Sequence, residues 1–389
     1  MLLQLLAIVF AAGALFVGLY LLLLEVQYRQ RPGNKLEVTV GQWTLDAKSR
    51  DRYVLVGEVE VINRTQRLEV MLPEVWAEAS LFSGDSLAGV TWQAQVISQH
   101  PDEAARADGY WFAYIVKTKK RTTLQIRLEI QGDNLEALKN AWIRLHYVTY
   151  GPQGRVPKTR HFVVPFRYPT PEESTNWRTT PTAEVLPIRT HLLTECDTVT
   201  QVVQRYVTPH AKPGDIVTIG ETPIAIMQGR FRHPTEIQPG WVAKRLCYLF
   251  LPTSSLATAC GMQALVDIVG PGRVLFAFFV GAIAKVFRKP GVFYQLAGEQ
   301  ARLIDDVTGT LPPYDQFIVL GPDNPQRVVE QIRAETGIEA AIVDVNDLGA
   351  VKILAATANV SEPLLKQALK RNPAGNADEQ TPVVLIRPV

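Results

Sequence analysis

The chain has 389 residues, of which 47% are hydrophobic and 20% are charged. These values are typical of a folded protein that is long enough for more than one domain. Its 40 Lys and Arg residues against 38 Asp and Glu residues give a net charge of +2, and this near balance argues against a nucleic-acid-binding protein. Three cysteines are too few for a disulfide scaffold, so a reducing compartment is expected.

Residues 1–28 are predicted to form a transmembrane anchor, because Leu2 to Leu24 contain no charged side chain. A helix of that length crosses roughly 30 Å of hydrocarbon. The run has no basic residues before it and no small-residue cleavage site after it, which disfavours a cleaved signal peptide. Arg29, Arg31 and Lys35 follow the run, so the positive-inside rule predicts a single-pass membrane protein with cytoplasmic soluble domains.

Two further features of the apolar segments each leave two interpretations open. Ala14 and Gly18 form a small-xxx-small pair, which either permits a homodimer through the anchor or reflects ordinary membrane-helix composition. The run Val274–Ala284 is too short for a span and is flanked by Arg273, Lys285, Arg288 and Lys289. It is either a buried core helix or a helix at the membrane interface, held there by its cations.

Residues 35–168 are predicted to form a β-sandwich-like domain. Apolar and polar residues alternate with the period of two that marks strands with one buried face. Only Asp133–Lys139 resembles a short helix, and no cluster of catalytic residue types occurs, so the domain is interpreted as a spacer or docking module. The predicted strands are Tyr53–Asn63, Arg67–Ala79, Val90–Ile97, Tyr110–Val116, Thr122–Ile130, Trp142–Tyr150 and His161–Phe166.

Residues 169–187 are rich in Pro, Thr, Glu and Ser and are predicted to be an exposed linker. Residues 188–389 mix helical and strand patterns, which predicts an α+β domain. Pro325 and Gly337 bracket a good helix. The predicted helices are Thr190–Val207, Gln326–Gly337 and Ser361–Asn372, and the predicted strands include residues 215–220, Ile338–Asp347 and Thr381–Val389.

Polar residues that a core does not require gather in four places in this second domain. Carboxylates at strand ends beside Gly and Asn suit Mg²⁺ or Mn²⁺, which prefer oxygen ligands, and nearby arginines would neutralise nucleotide phosphates. The alternative for each cluster is a solvated turn. The clusters are Asp305, Asp306, Thr308 and Gly309; Asp344, Asn346 and Asp347; Asn372, Asn376, Asp378, Glu379 and Gln380; and Glu221, Thr222, Arg230, Arg232 and His233.

The chain lacks the GxxxxGK[ST], GxGxxG and GxSxG motifs. Their absence argues against P-loop NTPases, dinucleotide-dependent dehydrogenases and serine hydrolases.

The segments around these clusters resemble the coenzyme F-420-0:gamma-glutamyl ligase family, over roughly Leu186 to Pro388. The resemblance implies a ligase, here in a membrane-anchored, bacterial-type long form whose anchor and β-sandwich lie outside the resemblance. Such a ligase uses GTP and a divalent metal to join glutamate to a small-molecule acid acceptor, a phospholactyl-deazaflavin. The segments are LPIRTHLLTECDTVTQVV, KPGDIVTIGETPIAIMQGR, LIDDVTGTLPPYD, DNPQRVVEQIRAETGIEAAIVDVNDLG and TPVVLIRP.

Carried over to this sequence, the resemblance implies that Asp305 or Asp306 holds metal together with Asp344, and that Arg230 lies near nucleotide or substrate. With the neighbouring polar residues, the candidate set is Asp305, Asp306, Asp344 and Asp347 for metal, and Arg230, Arg302, Thr308 and Asn346 for nucleotide or substrate.

Two departures leave a second function open. The family's Ser-Lys-Ala-Glu-Gly-Arg is replaced here by AIMQGR, ending at Arg230, and its Asp-Thr-Asn-Gly by DVND, beginning at Asp344. The chain is therefore either a GTP- and metal-dependent ligase, or a non-catalytic nucleotide-binding or scaffold protein that retains the ligase fold.

Overall fold

The computed structural model describes residues 2–30, 34–289, 291–306, 311–375 and 379–389. Its first element is the helix α1 (Leu2–Gln30), within which Ala7–Tyr28 is long and apolar enough to cross a membrane and packs against no described part of the chain. An apolar helix of this length at an N-terminus is found in membrane anchors and in signal sequences alike. A β-rich domain and a mixed α/β domain follow α1.

The β-rich domain is a sandwich of two antiparallel sheets. One sheet has the order β1-β3-β7-β5 with β2 paired to β3, and the other has the order β6-β4-β8-β9. On β7 the residues Leu124, Ile126, Leu128 and Ile130 are buried between the sheets while their neighbours face outward. The strands are β1 (Glu37–Val38), β2 (Gln42–Lys48), β3 (Arg52–Ile62), β4 (Val70–Ser83), β5 (Thr91–Gln99), β6 (Tyr114–Val116), β7 (Arg121–Gln131), β8 (Leu138–Gly151) and β9 (Gly154–Pro165).

Each of the seven segments predicted as strands overlaps one of the strands β3 to β9. The predicted helix at Asp133–Lys139 is shorter in the structure, a single 3₁₀ turn at Leu135–Ala137. The strands β1 and β2 were not predicted. β2 lies at the edge of its sheet and has no fully buried residue, so its apolar signal is weak.

The second domain is built on a six-stranded mixed sheet with the order β10-β11-β18-β12-β16-β17. Within it β12 and β16 run parallel, and the other neighbouring pairs are antiparallel. Its strands are β10 (Arg178–Thr179), β11 (Ala183–Ile188), β12 (Ile216–Gly220), β16 (Glu339–Val345), β17 (Val351–Ala356) and β18 (Val383–Pro388).

The predicted linker contains part of this sheet. β11 begins at Ala183, and Val185 and Leu186 are buried against the helices of the domain. The Pro- and Thr-rich composition of the segment concealed the short apolar run that pairs with β18.

Helices cover both faces of the sheet. On one face lie α2 (Val199–Val202), which continues as a π-helical turn at Val203–Val207, and α9 (Pro325–Thr336); on the other lies α10 (Glu362–Ala368). α9 has Pro325 in its first turn and ends at Gly337 in the left-handed conformation, as its sequence predicts. The helix predicted over Thr190–Val207 begins only at Val199, because Asp197 accepts hydrogen bonds from the backbone N–H and the hydroxyl of Thr194.

The remaining helices form a separate apolar cluster beside the sheet. A small sheet of the order β13-β15-β14 joins this cluster to the rest of the domain. These elements are α3 (Glu221–Met227), which follows β12 directly, β13 (Phe231–Arg232), α4 (Trp241–Leu246), α5 (Ala259–Val269), α6 (Pro271–Val286), α7 (Val292–Ala297), α8 (Gln300–Leu303), β14 (Asp305–Asp306) and β15 (Ile318–Val319).

The two domains share an apolar contact between the β8-β9 face of the sandwich and the small sheet. Val163 is buried there with Phe231, Tyr314 and Phe317, and Trp142 packs against the same cluster. Beside it, the guanidinium of Arg160 on β9 donates to both carboxylate oxygens of Glu195 at 2.7 and 2.6 Å. Glu195 is only 7% exposed at its side chain, so the sandwich is joined to the second domain by a buried ion pair as well as by apolar packing.

Candidate functional site

The candidate site is a cavity of about 330 Å³ at the carboxyl ends of β12 and β16. These two strands are parallel, and Gly220 at the end of one pairs with Val343 of the other. The residues that follow one strand therefore lie beside the last residues of the other. In open α/β sheets, ligands bind at this edge of the parallel strands.

Glu221 enters the cavity as the first residue of α3, directly after the buried strand β12. Its Oε2 atom is buried and has no hydrogen-bond partner among the described residues. Burial, and then the charges of Asp344 and Asp305, raise the pKa of the Glu221 carboxyl to about 8, against a smaller opposing effect of Lys352. Glu221 is therefore largely protonated at neutral pH when no cation is bound.

Asp344 and Asp305 line the same cavity from two different sheets. Asp344 is near the end of β16, where it pairs with Lys352 of β17. Asp305 begins β14 and pairs with Val319 of β15. The Asp305 side chain reaches the open space of the cavity, but the protein around it and the Asp344 charge still raise its pKa.

The three carboxylates supply oxygen ligands of the kind that a divalent cation prefers. A buried carboxylate oxygen without a partner, close to two further carboxylates, is an arrangement that a hard cation with oxygen ligands stabilises. Over the described residues, no three His, Cys, Asp or Glu side chains already lie close enough together to form a metal-binding group. The three carboxylates therefore line one cavity without forming a ready-made cation site in the described part of the chain.

The other side of the cavity is apolar and is held in place by a buried histidine. Leu192, Leu193 and Ile226 contribute apolar surface. His191 bonds Asp197 Oδ1 through Nε2 at 2.9 Å and the Tyr206 hydroxyl through Nδ1 at 2.7 Å. These contacts fix the segment that precedes α2 along the wall, and they use both ring nitrogens of His191.

The buried Tyr314 lies between the cavity and the contact with the sandwich domain. Its hydroxyl has no hydrogen-bond partner among the described residues, and burial holds its pKa well above the usual range. The hydroxyl is therefore neutral, and the charges that act on it are those of Glu195, Asp197 and Arg160 rather than those of the cavity carboxylates.

The structure places only some of the predicted site residues in the cavity. Asp305 and Asp344 are brought together in the cavity, and Asp306 is the second residue of β14. Thr308 lies outside the described residues. Within the described part of the chain, the cavity wall does not include the other four predicted residues, which are Arg230, Arg302, Asn346 and Asp347.

Those four residues have local partners instead. Arg230 donates from Nε to the carbonyl of Gly321 at 2.6 Å and from NH2 to Gln300 at 3.2 Å. The Arg302 guanidinium lies over the Tyr294 ring at 5.7 Å.

Asn346 forms the turn between β16 and β17, where its side chain accepts from the Ala350 N–H at 3.0 Å. Asp347 accepts from Asn372 at 2.9 Å, and Asn372 does line the cavity.

Glu221 was part of a polar cluster in the sequence but was not assigned to the site. The signal that identifies it is its position immediately after a buried strand whose parallel neighbour carries Asp344 near its end. That signal depends on the strand order, which the sequence alone does not specify.

Residues 37–168, about a third of the chain, match the family model described as F420-0:gamma-glutamyl ligase, N-terminal Ig-like domain. The match lies in the sandwich domain, which the resemblance found in the sequence did not include. It supports the same family from a different part of the chain, and it indicates a gamma-glutamyl ligase-like protein. No curated protein matches the chain.

Solved structures resemble the chain only weakly. The yeast GGA1 GAE domain is 11% identical, with a TM-score of 0.21, over 35% of this chain and 96% of that one. The GAE domain of GGA2p from Saccharomyces cerevisiae is 8% identical, with a TM-score of 0.21, over 35% and 94%. A protein from Archaeoglobus fulgidus is 14% identical, with a TM-score of 0.19, over 35% and 98%. TM-scores this low do not define a shared fold.

Proposed function

We propose that the chain is a membrane-anchored ligase of the F420-0:gamma-glutamyl ligase type. It uses GTP and Mg²⁺ or Mn²⁺ to form an amide bond between glutamate and a small acid acceptor. The observation that carries the proposal is the group of Glu221, Asp344 and Asp305 at the carboxyl ends of two parallel strands. The chain that contains this group also has the Ig-like domain of the ligase family in front of it.

In this proposal Glu221, Asp344 and Asp305 would hold the divalent cation, which would supply positive charge against the nucleotide phosphates. The apolar wall at Leu192, Leu193 and Ile226 excludes water from one side of the cavity. The assignment of Arg230, Arg302, Thr308 and Asn346 to the nucleotide stays a prediction.

A second function is favoured by one observation. Arg230, which the resemblance places near nucleotide or substrate, is bonded to the Gly321 carbonyl and to Gln300. An arginine whose side chain is bonded within its own domain in this way favours a non-catalytic protein that retains the ligase fold and acts in nucleotide binding or as a scaffold. The ligase proposal predicts product formation, and the scaffold alternative predicts ligand binding without turnover.

The test uses the full chain in detergent micelles. Melting is followed with GTP, ATP, Mg²⁺ and Mn²⁺, separately and combined; a ligand at a hundred times its Kd stabilises by about 2.7 kcal/mol. GTP with Mn²⁺ is expected to stabilise the wild type and to leave Glu221→Gln unchanged. Glu362→Gln, an exposed carboxylate on α10 paired with Lys366, is the matched control and should respond like the wild type.

The second stage measures glutamate- and acceptor-dependent release of GDP and phosphate. Release that requires both substrates supports the ligase. Binding without release supports the scaffold alternative, and an absence of any response to nucleotide or metal contradicts both.

The membrane topology is proposed separately. We infer that α1 is retained and that the soluble domains are cytoplasmic, because Arg29, Arg31 and Lys35 follow the apolar run. Intact mass of the protein recovered from membranes should include residues 1–28. Protease added outside sealed, right-side-out membranes should leave the soluble domains intact. A mass that lacks the apolar run indicates a signal sequence, and digestion from outside indicates the opposite orientation.

A further inference from the structure

The helix α6 presents an apolar stripe to the outside of the protein. Phe276, Phe279, Ile283 and Val286 follow one another at intervals of three or four residues, and they are 60%, 62%, 59% and 80% exposed. At that spacing they lie on one face of the helix. The fully buried residues of α6 are Val274 and Ala277, and Leu275 and Phe278 are partly buried against the same cluster.

A second exposed apolar segment lies beside this stripe. Tyr248, Leu249 and Leu251 follow α4 and are strongly exposed. Phe250 between them packs its ring 4.9 Å from that of Phe293 on α7 and 6.4 Å from that of Phe278 on α6, measured between ring centroids. Phe250 thus connects the segment after α4 with the helices α6 and α7. We use the name α4–α6 surface for the exposed apolar residues of α4, of the segment after it and of α6, which are Trp241, Tyr248, Leu249, Leu251, Phe276, Phe279, Ile283, Val286 and Phe287.

The sequence segment that contains the α4–α6 surface is strongly basic. Between Glu236 and Glu299 the sequence has a single acidic residue, Asp267, and that residue forms an ion pair with Arg232. The same stretch contains six cations, which are Lys244, Arg245, Arg273, Lys285, Arg288 and Lys289. A partner that complements this surface must offer apolar contact and negative charge together.

A second copy of the chain does not meet that requirement. A symmetric pairing brings the same patch of each copy together, so the cations of one copy would face those of the other. An anionic lipid bilayer meets both conditions, because an amphipathic helix buries its apolar face at the headgroup boundary while Lys and Arg contact the lipid charges. Trp241 and Tyr248 are the side-chain types enriched at that depth.

The bilayer also lies close to the soluble domains if α1 is inserted in it, as the proposed function requires. Only six residues separate Gln30 at the end of α1 from Glu37 at the start of β1, and six residues span at most about 20 Å. This short connection keeps the soluble domains near the membrane and raises the effective concentration of its surface.

We propose that the α4–α6 surface docks onto the surface of an anionic bilayer, as a second membrane contact besides α1. The apolar stripe of α6 enters the headgroup boundary, and Lys285, Arg288 and Lys289 at its end contact the lipid phosphates. The second domain, with its cavity, is thereby held in a fixed orientation to the membrane.

The test uses the full chain in nanodiscs, with an environment-sensitive NBD fluorophore on one introduced cysteine. Phe279→Cys and Ile283→Cys report on the stripe, each in a Cys196→Ser background that removes the exposed native thiol. The matched control is Leu348→Cys, in the turn after β16, where the native leucine is 94% exposed. Discs contain phosphatidylcholine alone or with phosphatidylglycerol, and doxyl-labelled lipid is the quencher.

The expected result is blue-shifted emission and quenching at positions 279 and 283, severalfold stronger with phosphatidylglycerol, and neither effect at position 348. Reversing Lys285, Arg288 and Lys289 to Glu should remove the preference for anionic lipid. The same reversal of Lys117, Lys119 and Lys120, which lie between β6 and β7 on the sandwich, should preserve it. Incorporation into discs reports on α1 separately from the probes.

Two results overturn the proposal. One is emission at positions 279 and 283 as water-exposed as at position 348 in anionic discs. The other is protection that occurs with two copies per disc and disappears with one, which assigns the surface to a second copy of the chain.

Discussion

The pKa of Glu221 makes stability depend on pH in a way that one substitution should remove. The carboxyl has an ordinary pKa of 4.5, and in the folded protein burial and the charges of Asp344 and Asp305 raise it to about 8. A carboxyl with a raised pKa holds its proton more tightly in the folded chain than in the unfolded chain. Its contribution to the free energy of unfolding is therefore complete below pH 4.5 and is lost as the pH rises through about 8.

The size of the effect follows from the shift. One pKa unit corresponds to about 1.4 kcal/mol, so a shift from 4.5 to about 8 amounts to at most roughly 5 kcal/mol above pH 8. By pH 7 the loss is at most about 3 kcal/mol. Rearrangement of the cavity and water within it reduce these values, and the direction remains.

Glu221→Gln replaces the titrating group with a neutral one of the same shape. We expect the variant to be as stable as the wild type near pH 5 and more stable by a few kcal/mol near pH 8, measured by urea unfolding of the full chain in micelles. Glu362→Gln is exposed and should leave the pH dependence unchanged. If wild type and Glu221→Gln lose stability in parallel from pH 5 to pH 8, Glu221 is not the group responsible, and the reasoning is refuted.

Three further substitutions test neighbouring contacts. Asp344→Asn removes a charge that raises the pKa of both Glu221 and Asp305. The loss of stability with rising pH should therefore become smaller and occur at lower pH. Any gain in melting temperature from Mn²⁺ should disappear. Arg160→Ala leaves the buried Glu195 carboxylate unpaired, so it should lower the free energy of unfolding in urea by about 3–5 kcal/mol. The control Arg155→Ala, on the same strand, breaks an exposed ion pair and should lower it by less than about 1 kcal/mol. Arg230→Ala removes the hydrogen bond to the Gly321 carbonyl and should lower the free energy of unfolding by about 1–3 kcal/mol. The stabilisation by GTP and Mn²⁺ should stay unchanged. Loss of that stabilisation would show that Arg230 acts on the nucleotide.

The sandwich domain was readable from the sequence because its signal is local. Each of the strands β3 to β9 carries its own alternation, and β7 shows it without interruption from Thr122 to Ile130. Alternation of apolar and polar residues does not reveal a strand that buries few side chains, such as β2 at the sheet edge. It also fails where a strand is short and lies within a turn-rich segment, as in β11.

The second domain shows the limit of the same reasoning. The bounds of α9 were predicted from Pro325 and Gly337, since both residues act on their own backbone. The order of the six strands was not predicted, because pairing between β12, β16 and β18 joins residues more than a hundred positions apart. No periodicity within a segment records which distant segment it will pair with.

That limit explains which site residues the sequence could identify. Asp305 and Asp344 stood out because acidic residues at strand ends are unusual in a core, and both do line the cavity. Glu221 was noted within a polar cluster but was not assigned to the site, because nothing in its own segment shows that it shares a cavity with Asp344 and Asp305. Arg230 and Asn346 were noted because of their residue types, but each forms a hydrogen bond with a backbone group of its own domain. What separates Glu221 from them is the parallel pairing of Gly220 with Val343. That pairing places the Glu221 carboxylate beside Asp344, and burial together with the charges of Asp344 and Asp305 raises its pKa to about 8.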